Sequence, residues 1–240
     1  MGEVLLDRPG FESAWAIADD IPGWLTRDQA AVLWQAARRL RPGAYVVEIG
    51  SHQGRSTVVL GRAAQAVGGR VAAIDAFVEG KLFGGSPTRK LFEANIARAG
   101  LGEVIKLLVE HSTGARPRWT EPIDLLYIDG KHDYWTFSDD LLWSACLAPG
   151  GEILVHDCFS SIGVTSVVLA KVLPSRRYTF CGRVGSLARF RLQPPAGRDR
   201  LRVLQQLPWF ARNVVLKILI RLRLRPVVAV LGHTGPYDPY

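Results

Sequence analysis

The sequence predicts an open, doubly wound α/β sheet, mostly parallel and of about seven strands. Three observations carry this. Strand-like apolar runs alternate with helix-like runs through the middle of the chain. Those runs are almost continuously apolar, as strands buried on both faces of a parallel sheet are. The last two are joined by Gly182-Arg183-Val184-Gly185, which reads as an antiparallel hairpin closing the sheet.

The elements follow in order. Thr26 and Gln29 fit a capping box opening a helix that stops before Pro42-Gly43. Strand-like runs cover residues 44–50, 70–77, 104–110, 123–129 and 152–157. Helices are expected over 54–67, about 88–99, about 135–147 and about 164–173. The third of these ends at Pro149-Gly150-Gly151. The hairpin spans 177–192, and Gln193 to Gly197 reads as a linker. This divides the chain into an N-terminal helical cap (1–43), a central α/β domain (44–192) and a C-terminal helical extension (198–240).

Composition narrows the class. The chain has 240 residues, 48% hydrophobic and 22% charged. That excludes a disordered chain, a collagen and a coiled coil. Three cysteines, Cys146, Cys158 and Cys181, form no disulfide framework and suggest a reducing compartment. Acids at Glu3 and Asp7 and the lack of an apolar segment argue against a signal peptide, so a cytoplasmic location is expected. Net charge is +8, but it is local. Residues 196–240 hold eight basic residues against two acidic ones, a net +6. The rest carries 22 against 20, a net +2. A diffuse nucleic-acid surface is not implied, and no nucleic-acid partner is expected.

Ligands bind outside the carboxyl ends of the strands in such sheets. The first strand ends V-V-E-I-G-S-H-Q-G-R-S, with glycines at Gly50 and Gly54 that allow a tight turn and close approach to a ligand. It is not the G-x-G-x-x-G dinucleotide fingerprint, because Ser51-His52-Gln53 intervene. The second strand ends at Asp75, an acid placed to accept ribose hydroxyls. Together these favour an adenosine-type cofactor. The fourth and fifth strands end in I-D-G-K-H-D-Y and V-H-D-C, which brings Asp129, His132, His156 and Asp157 to one edge. Carboxylates and imidazoles there are good ligands for a divalent ion.

E-I-G-S-H-Q-G-R-S, I-D-A-F, I-D-G-K-H-D-Y, L-A-P-G-G and H-D-C resemble the class I S-adenosylmethionine-dependent methyltransferases, over roughly residues 40–192. The subgroup resembled is the metal-dependent sugar O-methyltransferases of macrocin and mycinamicin type. The whole sequence also resembles enzymes that methylate the 1-hydroxyl in methylmannose polysaccharide biosynthesis. The resemblance implies a Rossmann-like methyltransferase fold, S-adenosylmethionine and Mg2+. It places Glu48, Gly50, Ser51, Gly54 and Ser56 around the methionine part, Asp75 on the ribose, and His111 and Ser112 near the adenine. Asp129 and Asp157 match metal-ligand positions, with Asp129 also beside cofactor and reaction centre. His132 matches the base position of D-x-x-H. The family usually has a carboxylate where this chain has His156, which implies nitrogen ligation or weaker metal binding. The implied acceptor is a sugar or oligosaccharide, and the implied assembly is a homodimer. Three other readings stand beside it: an NAD-dependent oxidoreductase, methylation of a non-sugar hydroxyl on a small metabolite, and a non-catalytic membrane or nucleic-acid adaptor driven by the basic tail, which leaves the clustered acids and histidines unexplained.

Two segments lie outside these motifs. Residues 77–87, rich in glycine and proline, read as a lid or as a plain surface loop. Trp15, Trp24 and the pair Tyr134-Trp135 offer platforms for sugar rings, or simply fill the core. In the extension, Pro208 opens a helix with Phe210, Val214, Val215, Ile218, Leu219 and Leu222 on one side. Lys217, Arg221 and Arg225 form a basic stripe, and Pro226 ends the helix. Two uses follow: packing on the body or a second subunit, or lying on an anionic membrane surface as a peripheral contact.

Overall fold

The computed structural model describes residues 7–80 and 84–233. The strands are β1 (Tyr45–Ile49), β2 (Arg70–Ile74), β3 (Ile105–Leu108), β4 (Ile123–Ile128), β5 (Leu147–Val155), β6 (Tyr178–Val184) and β7 (Leu187–Leu192). They form one sheet in the order β3-β2-β1-β4-β5-β7-β6. The first five run parallel, and β7 pairs antiparallel with both β5 and β6. This is the seven-stranded, doubly wound sheet that the sequence predicts.

Alternate residues of each strand feed two cores. Val46, Leu125 and Tyr127 face one layer, with Phe11, Trp34, Leu60 and Phe92. Val47, Ile49, Leu126 and Ile128 face the other, with Trp143, Phe159 and Val168. The period of two along a strand makes this division. The helices are α1 (Arg8–Asp19), α2 (Arg27–Arg38), α3 (Arg55–Gln65), α4 (Gly85–Arg98), α5 (Ser112–Ala115), α6 (Tyr134–Leu141), α7 (Ile162–Val167), α8 (Gly197–Leu204), α9 (Leu207–Arg221) and α10 (Arg225–Val230). α1 and α2 share the first core with α3, so the N-terminal cap is built into the body. The capping box forms: Gln29 N–H donates to Thr26 Oγ1 at 3.3 Å, and Thr26 N–H donates to Gln29 Oε1 at 3.0 Å.

Some expected boundaries shift. The helix expected over about 135–147 ends at Leu141 and tightens into a 3-10 turn, Leu142–Cys146. β5 then begins at Leu147, before the Pro149-Gly150-Gly151 break. Pairing jumps from Ile123↔Leu147 to Leu125↔Glu152, so a bulge absorbs the break inside the strand. Pro226 does not end a helix; it sits in the first turn of α10, where its missing N–H costs nothing. Arg225 therefore lies on α10, and the basic stripe drawn through Lys217 and Arg221 stops with α9. The inner face of α9 buries Asn213 and Leu216, while Val215, Ile218 and Leu222 are exposed. Apolar residues surround α9, so spacing alone could not choose its buried side. Residues 81–83 of the loop read as a lid lie outside the described residues, as do 1–6 and 234–240 of the two terminal segments.

The strand order reverses between β1 and β4, and there the ends of these two strands meet. Gly50 has φ +86°, and a Cβ on it would lie 2.3 Å from the Asp129 carbonyl oxygen. Gly50→Ala should therefore lower Tm by roughly 5–10 °C in calorimetry, from both strain and overlap. An unchanged Tm would show that the junction tolerates a side chain.

Candidate active site

The main-chain ladder continues beyond the strand ends. Gly50 N–H donates to Ile74 O at 2.9 Å, Asp129 N–H to Ile49 O at 2.8 Å, and His156 N–H to Ile128 O at 3.0 Å. These bonds set Gly50, Asp129 and His156 side by side on the edge. Asp157 follows in a left-handed conformation, φ 54°, which turns its carboxylate back toward the edge. His132 comes from the loop after β4. Its carbonyl accepts from Ser161 Oγ at 2.9 Å, and Gly163 packs against that same oxygen so closely that a Cβ would sit 2.3 Å away.

The four side chains converge. His132 Nδ1 lies 2.9 Å from Asp157 Oδ2, and its Nε2 lies 3.5 Å from Asp129 Oδ1. His156 Nδ1 lies 3.2 Å from Asp129 Oδ1 and 3.6 Å from Asp157 Oδ1. Burial alone would raise both acids. The imidazoles of His156 and His132 outweigh it and hold Asp129 well below the usual carboxylate range. His132, by hydrogen bonding, and the charge of His156 also lower Asp157. Conversely, burial would lower the imidazoles, but their two carboxylate neighbours win. They raise His156 and lift His132 to about 10.

Donor atoms of Asp129, His132 and His156 all lie within 4.8 Å of one another, close enough to share one cation. The sequence reading had Asp157 in that set and His132 as base. The structure brings all four together. Mixed carboxylate and imidazole donors suit a divalent ion, and the nitrogens weigh toward a transition metal over Mg2+, which prefers oxygen.

Two supporting residues were not singled out from sequence as parts of this site. Tyr127 is fully buried and donates from its hydroxyl to Asp129 Oδ2 at 2.8 Å. Its position two before Asp129 in a strand, hence on the same face, was the available signal. Gln29, known only as a capping residue, reaches His156 Nε2 at 3.3 Å through Oε1 and Ser186 Oγ at 3.2 Å through Nε2. A third, Asn213 of α9, donates to the Phe159 carbonyl at 3.2 Å, steadying the turn that carries Asp157. No sequence signal tied a residue so distant to that turn.

The glycine turn is organised by two acids. Glu48 is fully buried, and its carboxylate accepts from Ser51 Oγ at 2.9 Å, Ser56 Oγ at 2.5 Å and Thr57 Oγ1. Asp75 Oδ2 accepts from Ser51 N–H at 3.0 Å and His52 N–H at 2.9 Å, while Oδ1 accepts from Phe77 N–H at 2.9 Å. Gly54, φ +92°, caps α3. His111 is exposed and caps α5, and the Ser112 hydroxyl donates to Asp140. Arg55 does not turn toward the edge. It clasps the cap through the carbonyls of Asp19, Ile21 and Leu25 and stacks on Trp15 at 4.8 Å. Trp15 is core, Trp24 lies 5.6 Å from the His52 ring, and Trp135 is 76% exposed.

Residues 47–158 match a family model described as a methyltransferase domain. Among solved structures, the cofactor-bound Rv0187 from MTB is 21% identical, with a TM-score of 0.59 over 80% of this chain and 93% of that one. The O-methyltransferase TomG from Streptomyces achromogenes, involved in tomaymycin synthesis and solved with SAM, is 20% identical. Its TM-score is 0.56, over 79% of this chain and 92% of that one. The SAH-bound methyltransferase PaMTH1 of Podospora anserina is 13% identical, with a TM-score of 0.61 over 77% and 88%. At these identities the likeness is one of fold.

Glu48 yields a stability test. Burial, against three hydroxyl donors, raises its carboxyl from 4.5 to about 7. Between those values the folded protein keeps a proton that the unfolded chain has lost. Stability should therefore be full below pH 4.5 and fall as pH rises to about 7, by roughly 1.4 kcal/mol per unit. Calorimetry of Glu48→Gln should show a flatter Tm across that window. An identical pH profile would mean that Glu48 is ionised in the fold.

Proposed function

We propose that the chain, whose residues 47–158 match a methyltransferase domain, is a methyltransferase that transfers a methyl group from S-adenosylmethionine to a sugar hydroxyl. The observation that carries the reading is the Asp129–His132–His156–Asp157 cluster beside the Gly50 turn at the β1/β4 switch. The oxidoreductase reading is not favoured. The dinucleotide fingerprint is absent, and the matched domain is a methyltransferase.

The donor lies along the edge. The Gly50–Ser56 turn and the N-terminus of α3 receive the methionine part, with backbone N–H groups for its carboxylate. Glu48 shapes that turn from beneath. Asp75 takes the ribose, since a carboxylate carrying three N–H donors still has an acceptor site to offer. His111 and Ser112 border the adenine. The exposed Trp135 and the Trp24–His52 pair support an acceptor with sugar rings, which stack on aromatic faces. A mannoside methylated at its 1-hydroxyl is the first acceptor to test, on sequence resemblance.

A sugar hydroxyl needs its proton removed as the methyl group arrives. His132 Nε2, the ring nitrogen with the longer contact, receives that proton while Nδ1 stays bonded to Asp157. A divalent cation held by Asp129, His156 and Asp157 would stabilise the developing alkoxide and offset the carboxylate charge that favours a protonated His132, leaving its ring neutral. Mg2+ is one candidate, with Mn2+ suited by the nitrogen donors.

Two outcomes are expected. Asp75→Ala should weaken S-adenosylmethionine binding in calorimetry by roughly ten-fold or more, since a hydrogen bond to a charged group contributes about 1.5–3 kcal/mol. Unchanged affinity in a folded variant would remove Asp75 from the site. In a screen of mannosides and other glycosides with labelled donor, EDTA should abolish turnover and added Mg2+ or Mn2+ restore it. There, His132→Ala should lower the rate roughly 10²–10⁴-fold and spare donor binding. Full activity in EDTA would refute the metal role, and near-normal turnover of the alanine variant would refute the base.

A further inference from the structure

The C-terminal helices have one face committed and one face open. The inner face of α9 is anchored: Asn213 and Leu216 are fully buried, and the Trp209 ring lies 3.7 Å under the Arg183 guanidinium. α8 is held in the same way by buried Val203 against the second core. That leaves an outer face that cannot turn inward without breaking these contacts. On it Ala211, Val215, Ile218 and Leu222 recur at steps of four, three and four, the spacing of one helical stripe. Leu222 is 62% exposed. The exposed apolar series continues through Leu224, Val227, Val230 and Leu231, with Val230 87% exposed. Seven of the sixteen large apolar side chains that the described residues expose lie between Val215 and Leu231.

Charge selects the occupant. From Arg200 to His233 the chain has seven basic residues and no acidic one. Arg212, Arg221, Arg223 and Arg225 are exposed alongside the apolar stripe. A two-fold contact between copies would set this face against itself, cation against cation, without a carboxylate from the segment to pair them. An anionic bilayer instead offers acyl chains to the apolar residues and negative head groups to the arginines. No helix among the described residues is long and apolar enough to cross a membrane, so this contact would lie in the surface plane.

We propose that α9 and α10 form a peripheral docking face for an anionic lipid surface, with Val215, Ile218, Leu222 and Val230 entering the interface and Arg221, Arg223 and Arg225 engaging head groups. The test is flotation of the full-length protein with vesicles of phosphatidylcholine alone or mixed with phosphatidylglycerol. Binding is expected to the mixed vesicles only, and to weaken in high salt. Replacing Arg221, Arg223 and Arg225 together by Gln should reduce partitioning on the order of 100-fold. The pair Ile218→Asp and Leu222→Asp should also abolish it. Calorimetric affinity for S-adenosylmethionine should not change in either variant, because neither touches the strand edge. Failure of the parent protein to float, or equal binding to neutral vesicles, would overturn the proposal. So would a dimer in light scattering that Ile218→Asp dissociates.

Discussion

Parallel alignment of three strand ends is the constraint on which the rest depends. Backbone hydrogen bonds from Asp129 to Ile49 and from His156 to Ile128 prolong the ladder by one residue past each strand. Asp129 and His156 therefore inherit their spacing from the sheet. Gly50 is the condition for this. Only a residue without Cβ, at positive φ, lets the first strand end approach the Asp129 carbonyl. The glycine turn and the acid–imidazole cluster thus become neighbours through one backbone contact.

The cluster is stable because its charges are matched. Two carboxylates and two imidazoles lie within a few ångströms, each pulled away from its ordinary titration range by its neighbours. Buried single charges would be costly; here each faces an opposite one. Tyr127 and Gln29 then fix the acid and the imidazole from outside the cluster, as supporting hydrogen bonds do in metal sites. Gln29 belongs to the N-terminal cap, so the cap contributes to the site as well as to the core.

The C-terminal extension reaches the same edge from the other side. Asn213 holds the Phe159 carbonyl, and Phe159 sits in a left-handed conformation two residues beyond Asp157. The face proposed to meet a lipid surface and the residue that steadies the Asp157 turn thus belong to opposite sides of one helix.

The sequence alone determined the sheet, its strand ends and the residues gathered there. Apolar runs of strand length, glycine turns and terminal acids are local signals, and parallel topology brings strand ends together by rule. The Thr26–Gln29 capping box was legible for the same reason, since both partners lie within one turn. Only the tertiary structure decided the rest. Which nitrogen of His132 faces Asp157, that Arg55 clasps the cap, and that Gln29 and Asn213 steady parts of the edge depend on residues far apart in the chain. The buried side of α9 was undecidable for a related reason. Its apolar residues occupy every side, so only the contacts of Asn213, Leu216 and Trp209 with the folded body could distinguish inner from outer face.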